Sequence, residues 1–207
     1  LELSRKLYLA WSQHLTAVQM QKLSALALTP APVMVRQRKE PAGEMASLPA
    51  GLQPAQSFPW APDDTFFRCT TPQTFFQSSE FNKEHFYIQD PSTLLAPAML
   101  DLKPDSRVAD VCSAPGGKAT CIAERLGPTG SLICSDRNPA RLSLVKRNLR
   151  QAPNCEFRVA DATTPPAQPA SLDRILLDVP CSYTGVIRPR PDVRWRFSRN
   201  KLRDLVQ

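Results

Sequence analysis

Apolar positions recur at helical spacing over residues 3 to 28, at Leu3, Leu7, Trp11, Leu15, Val18, Leu23 and Leu26. This spacing predicts one or two helices, ended by Pro30 and Pro32. Short runs at residues 33 to 37 and 65 to 69 predict strands in a small, proline-rich α+β region. From residue 92 the pattern changes. An apolar helix is expected over Thr93 to Leu102, interrupted by Pro97, then a strand over Arg107 to Cys112, a glycine turn, and a helix to about Leu126. A strand over Ser131 to Ser135 ends at Asp136, a helix covers Pro139 to Arg150, and a strand over Cys155 to Ala160 ends at Asp161. The run Ile175-Leu176-Leu177 then ends at Asp178. Strand and helix alternate, which predicts a parallel sheet with crossover helices.

Composition narrows the class. The chain has 207 residues and is 42% hydrophobic, enough for one ordinary globular domain plus a smaller appendage. Six cysteines stand at positions 69, 112, 121, 134, 155 and 181, several inside apolar runs, without metal-type spacing and with only His14 and His85 beside them. Reduced thiols in a cytoplasmic setting are expected, with neither a disulfide framework nor a metal site. No stretch is apolar enough to span a membrane, and the N-terminus lacks the order of a signal peptide. The chain begins at Leu1 and stops at Gln207 within a helix-like charged segment, so a piece of a longer protein is expected.

The net charge of +7 is unevenly spread. Residues 181 to 207 hold seven Lys or Arg against two Asp, and residues 61 to 100 are net acidic. The basic residues Arg188, Arg190, Arg194, Arg196, Arg199, Lys201 and Arg203 follow directly on Asp178-Val179-Pro180-Cys181 and would attract phosphate. That tetrapeptide ends an apolar strand on a carboxylate, a rigid proline and a thiol, at the end of a sheet where open α/β folds bind ligands. Carbon 5 of cytosine is a poor nucleophile, and methylating it requires a thiolate to add first at carbon 6 while a carboxyl group holds the ring. Asp178 and Cys181, three positions apart in an extended segment, could share such a pocket. The turn at Gly116-Gly117 lets a ligand approach the backbone at a helix N-terminus. Asp136, about 20 residues further on, has the placement that suits a ribose diol. Nicotinamide dinucleotides use the same geometry, although the glycine fingerprint for a pyrophosphate is absent.

The segment Asp110-Val111-Cys112-Ser113-Ala114-Pro115-Gly116-Gly117-Lys118, with Asp136, Asp161 and Asp178-Val179-Pro180-Cys181-Ser182-Tyr183-Thr184-Gly185, resembles the S-adenosylmethionine-dependent RNA 5-methylcytosine methyltransferases. Val186 to Trp195 looks most like the bacterial members that act on small-subunit ribosomal RNA, and Tyr87-Ile88-Gln89-Asp90-Pro91-Ser92 resembles the lead-in to their catalytic domain. The resemblance covers residues 86 to 196 well and the N-terminal part loosely. It implies an α/β fold: a Rossmann-like class I methyltransferase sheet, incomplete at its C-terminus, over residues 86–207. A helical plus α+β RNA-binding subdomain would precede it over residues 1–85. It also implies S-adenosyl-L-methionine as cofactor and small-subunit ribosomal RNA as substrate; a monomer without metal or membrane is expected.

Site residues follow from the same resemblance. Ala114, Pro115, Gly116, Gly117 and Lys118 would wrap the methionine end of the cofactor, Asp136 its ribose and Asp161 its adenine. Cys112, Ser113, Arg137, Arg141 and Asp178 complete the implied cofactor set. Asp178 and Pro180 would line the cytosine pocket, the base having left its stack, and Arg188, Arg190 and Arg194 would meet the RNA. In this family a cysteine in a downstream Thr-Cys-Ser motif attacks carbon 6, and the Pro-Cys cysteine assists product release. Cys181 matches the release role. No Thr-Cys-Ser follows it before Gln207, so cofactor binding without efficient turnover is expected of these 207 residues. By analogy with DNA cytosine methyltransferases Cys181 could attack instead. Two departures concern the RNA side: Tyr183 stands where the family often has a small or amide residue, and Pro189 interrupts an arginine pair. Other readings are an RNA-binding module that has lost activity and a Rossmann-type dehydrogenase.

Overall fold

The computed structural model describes residues 3–39, 45, 47–62, 64–82, 85–164 and 167–205. The N-terminal periodicity becomes two helices, α1 (Arg5–Ser12) and α2 (Ala17–Leu28). Ser4 caps α1 by accepting the Leu7 N–H at 3.3 Å, and Thr16 and Gln19 form a reciprocal capping box on α2. The buried face of α2 differs from the expected one. Met20 and Ala27, two turns apart, are buried, whereas Val18 and Leu26 face solvent. Met20 and Ala27 pack with Leu3, Leu7, Ile187 and Val193, and that cluster selects the face.

Strands β1 (Val33–Gln37), β2 (Leu52–Pro54) and β3 (Phe66–Cys69) are followed by the one-turn helices α3 (Pro72–Phe75) and α4 (Ser79–Asn82) and by β4 (Phe86–Ile88). These strands form an antiparallel sheet in the order β2-β3-β1-β4. The helix expected over residues 93 to 102 is shorter: a 3₁₀ turn (Pro91–Leu94) runs into α5 (Leu95–Ala98). Asp101 adopts a φ of 46°, which a continuing helix cannot accommodate.

The remaining elements are β5 (Arg107–Asp110), α6 (Gly117–Ala123), β6 (Ser131–Asp136), α7 (Pro139–Asn148), β7 (Cys155–Val159), β8 (Arg174–Leu176), α8 (Val193–Arg196) and α9 (Arg199–Asp204). All pairings of the second sheet are parallel, in the order β7-β6-β5-β8. The order reverses between β5 and β8, and this is the crevice where doubly wound sheets hold ligands.

The chain divides into two compact units, residues 1–32 with 180–207, and residues 33–179. This differs from the expected division at residue 85. The antiparallel sheet belongs with the parallel one: Phe66, Ala61 and Leu94 pack on Cys121 of α6, and the buried Arg36 of β1 reaches Glu124 at the end of that helix. Residues 180–207 belong with α1 and α2, because Ile187 and Val193 complete their core.

Candidate active site

The larger unit carries a cavity of about 230 Å³ at the carboxyl ends of β5 and β8. Its lining includes Asp110, Cys112 to Pro115, Gly117, Lys118 and Asp178, together with Tyr87, Gln89, Asp90 and Thr93. A wider cavity of about 690 Å³ lies by Arg107 and Ser131, at the amino ends of β5 and β6. Arg107 there is already paired with Asp173, and ligands of such sheets bind at the opposite end.

Several hydrogen bonds fix the turn between β5 and α6. The Ser113 N–H and hydroxyl both donate to the Ser135 carbonyl, at 2.9 and 3.1 Å. Arg141 donates to the Ala114 carbonyl at 2.8 Å, and Asn148 donates to the Pro115 carbonyl at 2.9 Å. Gly116 has a φ of 111° and caps α6, a conformation that favours glycine. Gly117 is small for a different reason: a Cβ there would stand 3.0 Å from the Tyr87 ring and 3.2 Å from the Gln89 amide. Backbone and lead-in strand thus leave a cradle that a side chain would fill.

The charges are arranged around one buried carboxyl. Asp110 is 1% exposed, and neither of its oxygens has a hydrogen-bond partner at normal geometry among the described residues. Burial pushes its pKa up to about 7. The Cys112 N–H and the Lys118 ammonium pull it down, while the charges of Asp178 and Asp136 push it further up. Lys118 is ion-paired with Asp178, which is half exposed on the opposite wall. Burial, then Asp110, Asp136 and Asp178, also raise the Cys112 thiol, so it stays protonated. An unpartnered buried acid commonly awaits a cationic or hydrogen-bonding ligand.

The structure gathers some of the expected site residues and separates others. Cys112, Ser113, Ala114, Pro115, Gly117, Lys118 and Asp178 meet at the cavity, and Gly116 shapes it from behind. Asp136 is buried at the end of β6, accepting the Asn138 N–H at 2.9 Å with Arg141 at 3.7 Å, and does not line the cavity. Arg137 is exposed beside it. Asp161 is exposed and accepts both the N–H and the hydroxyl of Thr163, which hold its pKa below the usual range. Pro180 and Cys181 belong to the smaller unit, where both are exposed and the Cys181 Sγ accepts the Tyr183 N–H at 3.4 Å. In that unit Arg188 clamps the end of α2 by donating to the carbonyls of Pro30 and Thr29. Arg190 pairs with Asp192, and Arg194 lies over the Trp195 ring.

Asp110, Tyr87, Gln89 and Thr93 were not among the expected site residues. Asp110 could have been found by the rule that picked out Asp136, since it too is a carboxylate closing a strand before a helix. Tyr87 and Gln89 carried only their resemblance to a lead-in segment; β4 is three residues long and has no periodicity to read.

Residues 97–207 match the family model described as 16S rRNA methyltransferase RsmB/F. A ribosomal RNA small subunit methyltransferase B from Yersinia enterocolitica is 39% identical over 123 residues, 58% of this chain and 28% of that protein. One from Pectobacterium atrosepticum is 34% identical over 154 residues, 73% of this chain and 36% of that protein. The chain therefore spans about a third of the length of the curated relatives it matches. The crystal structure of NSun6 from Pyrococcus horikoshii with SFG has a TM-score of 0.74 at 18% identity, covering 96% of this chain and 75% of that one, a likeness of fold.

Proposed function

Because the chain belongs to the 16S rRNA methyltransferase RsmB/F family, we propose that it carries the cofactor site and part of the substrate site of an RNA cytosine-5 methyltransferase. The enzyme would move a methyl group from S-adenosylmethionine to carbon 5 of a cytosine in small-subunit ribosomal RNA, in the cytoplasm and as a monomer. The observation that carries this reading is Asp110: a buried acid with no hydrogen-bond partner at normal geometry among the described residues, on a cavity between a glycine cradle and the Lys118–Asp178 pair.

The residues fit the cofactor. Asp110 would take its cationic end, Ala114 to Lys118 would follow its methionine portion, Asp136 with Arg137 and Arg141 would serve its ribose, and Asp161 its adenine. When bound, S-adenosylmethionine supplies an electrophilic methyl group. Lys118 holds the Asp178 carboxylate toward the cavity, where it can accept from the exocyclic amine of a cytosine and orient the ring. Pro180 stiffens the segment between Asp178 and Cys181, and Arg188, Arg190 and Arg194 supply positive charge to the RNA backbone. Cys181 takes the release role. Its thiol is held by the Tyr183 N–H and is solvent-accessible, as release chemistry requires. The attacking cysteine would come from a Thr-Cys-Ser motif absent from these 207 residues, so this chain binds cofactor without efficient turnover.

The test is the full-length gene product with Cys181→Ala, incubated with S-adenosylmethionine and unmodified small-subunit ribosomal RNA. If Cys181 assists release, attack persists and release fails, so a protein–RNA adduct resistant to denaturant accumulates on a gel. Undiminished turnover without any adduct would contradict the assignment.

A further inference from the structure

The smaller unit displays two aromatic rings under guanidinium groups. Trp195 is 63% exposed, with the Arg194 guanidinium 4.7 Å from its ring centroid. Tyr183 lies under two guanidinium groups, Arg190 at 4.7 Å and Arg196 at 6.0 Å. Asp192 fixes both of those arginines, accepting from Arg190 at 3.2 Å and from Arg196 at 2.8 Å. Tyr183 also has a φ of 59°, uncommon for a bulky residue, and its N–H reaches the Cys181 sulfur.

The setting is rigid. Val193 is buried with Leu3 and Leu7, and the Ser4 N–H donates to the Arg194 carbonyl at 2.9 Å. The short helix α8 is thereby pinned by one residue while the next but one is turned outward. Burying a tryptophan is strongly favourable, so a fixed and exposed indole invites a partner. The surrounding charge identifies which. Residues 181–207 carry seven basic residues against two acidic ones, and planar guanidinium groups suit phosphate and base faces alike. Helix α8 itself is one turn long and carries two arginines beside Trp195, so it offers no amphipathic stripe of the length a bilayer surface takes.

We propose that Trp195 and Tyr183, with the arginines stacked on them, form a platform on which unpaired bases of the RNA substrate stack beside Cys181. The platform favours single strands, because a base inside a duplex has both faces covered. Asp192 holds Arg190 and Arg196 in place before RNA arrives, which reduces the ordering cost of binding. This inference rests on the reading of RNA as the substrate and extends it from charge to base stacking.

The experiment measures fluorescence anisotropy of a labelled, unstructured oligoribonucleotide of about 12 nucleotides, alone and as a duplex. Wild type, Trp195→Ala, Trp195→Leu and Trp195→Phe are compared, with cofactor binding followed by calorimetry. The platform predicts that Ala and Leu weaken single-strand binding about tenfold while duplex and cofactor binding are retained, and that Phe restores most of the loss. The leucine variant keeps apolar bulk without a π-face, so it separates stacking from folding. RNA binding unaffected by any of the three variants would overturn the platform and leave the methyltransferase reading intact. A protein that binds S-adenosylmethionine but neither form of RNA would sink both. Tryptophan quenching by anionic phosphatidylglycerol vesicles with none by RNA would overturn the platform in favour of a membrane surface.

Discussion

Replacing Asp110 with Asn is expected to lower affinity for S-adenosylmethionine about thirtyfold at pH 8, the equivalent of about 2 kcal/mol for one charge-assisted hydrogen bond. The effect depends on pH because burial places the Asp110 pKa at about 7. A cationic ligand favours the ionised carboxyl, so binding releases a proton in acid solution. Wild-type affinity should rise up to tenfold per pH unit below about 7 and level off above it. The Asn variant should show no such rise and should match wild type near pH 5.5. Stability without ligand runs in the opposite direction. The folded pKa lies above the ordinary 3.8, so the contribution of Asp110 to stability is greatest below about 4 and falls as the pH rises to about 7, by about 4 kcal/mol. Lys118, Asp178, Asp136, Cys112 and Cys134 are titratable groups around Asp110. Calorimetric titrations and thermal melts between pH 5 and 8.5 separate the two trends. An affinity independent of pH, or an Asn variant that binds as tightly as wild type, would remove Asp110 from the site.

The second large effect is expected at Arg36, which is fully buried in β1. Its guanidinium donates to Gln89 at 3.0 Å, to Asp64 at 3.2 Å and to Glu124. Arg125 meets the other side of Asp64, and Arg38 lies 3.6 Å from Glu124. Arg36→Met removes the central cation and leaves two buried carboxylates short of positive charge, which costs about 3–5 kcal/mol. A fall in melting temperature of roughly 10 °C follows for a unit of this size. Gln89 lines the cavity proposed for the cofactor and loses its anchor too, so cofactor affinity should fall in Arg36→Met even at temperatures where the protein stays folded. Circular dichroism melts and calorimetry read the two effects. An unchanged midpoint would show that Arg36 does not tie β1 to α6.

These two residues also mark where the sequence is readable and where it is not. The strands leading to Asp110, Asp136 and Asp178 were legible because short apolar runs alternate with helical stretches, and the parallel order places their ends on one rim. The glycine turn was legible because its two glycines answer separate needs, a left-handed backbone at Gly116 and close approach of Tyr87 and Gln89 at Gly117. Arg36 was not. An arginine in a short strand reads as solvent-facing, and its burial depends on Asp64, Gln89 and Glu124, which lie 28, 53 and 88 positions away. The division into units was hidden for the same reason: Ile187 and Val193 join the N-terminal helices through packing that no local pattern records. The face of α2 was misread because Val18 and Leu26 fit a helical stripe as well as Met20 and Ala27 do, and only the partner surface chooses between them.

The most direct measurement is the site of methylation. The full-length gene product is incubated with isotopically labelled S-adenosylmethionine and unmethylated small-subunit ribosomal RNA, and the digested nucleosides are resolved by mass spectrometry. The account predicts label in 5-methylcytidine, with loss of the carbon 5 proton from the same base. Label on another base or on ribose, or no transfer by a protein that binds the cofactor, would contradict it.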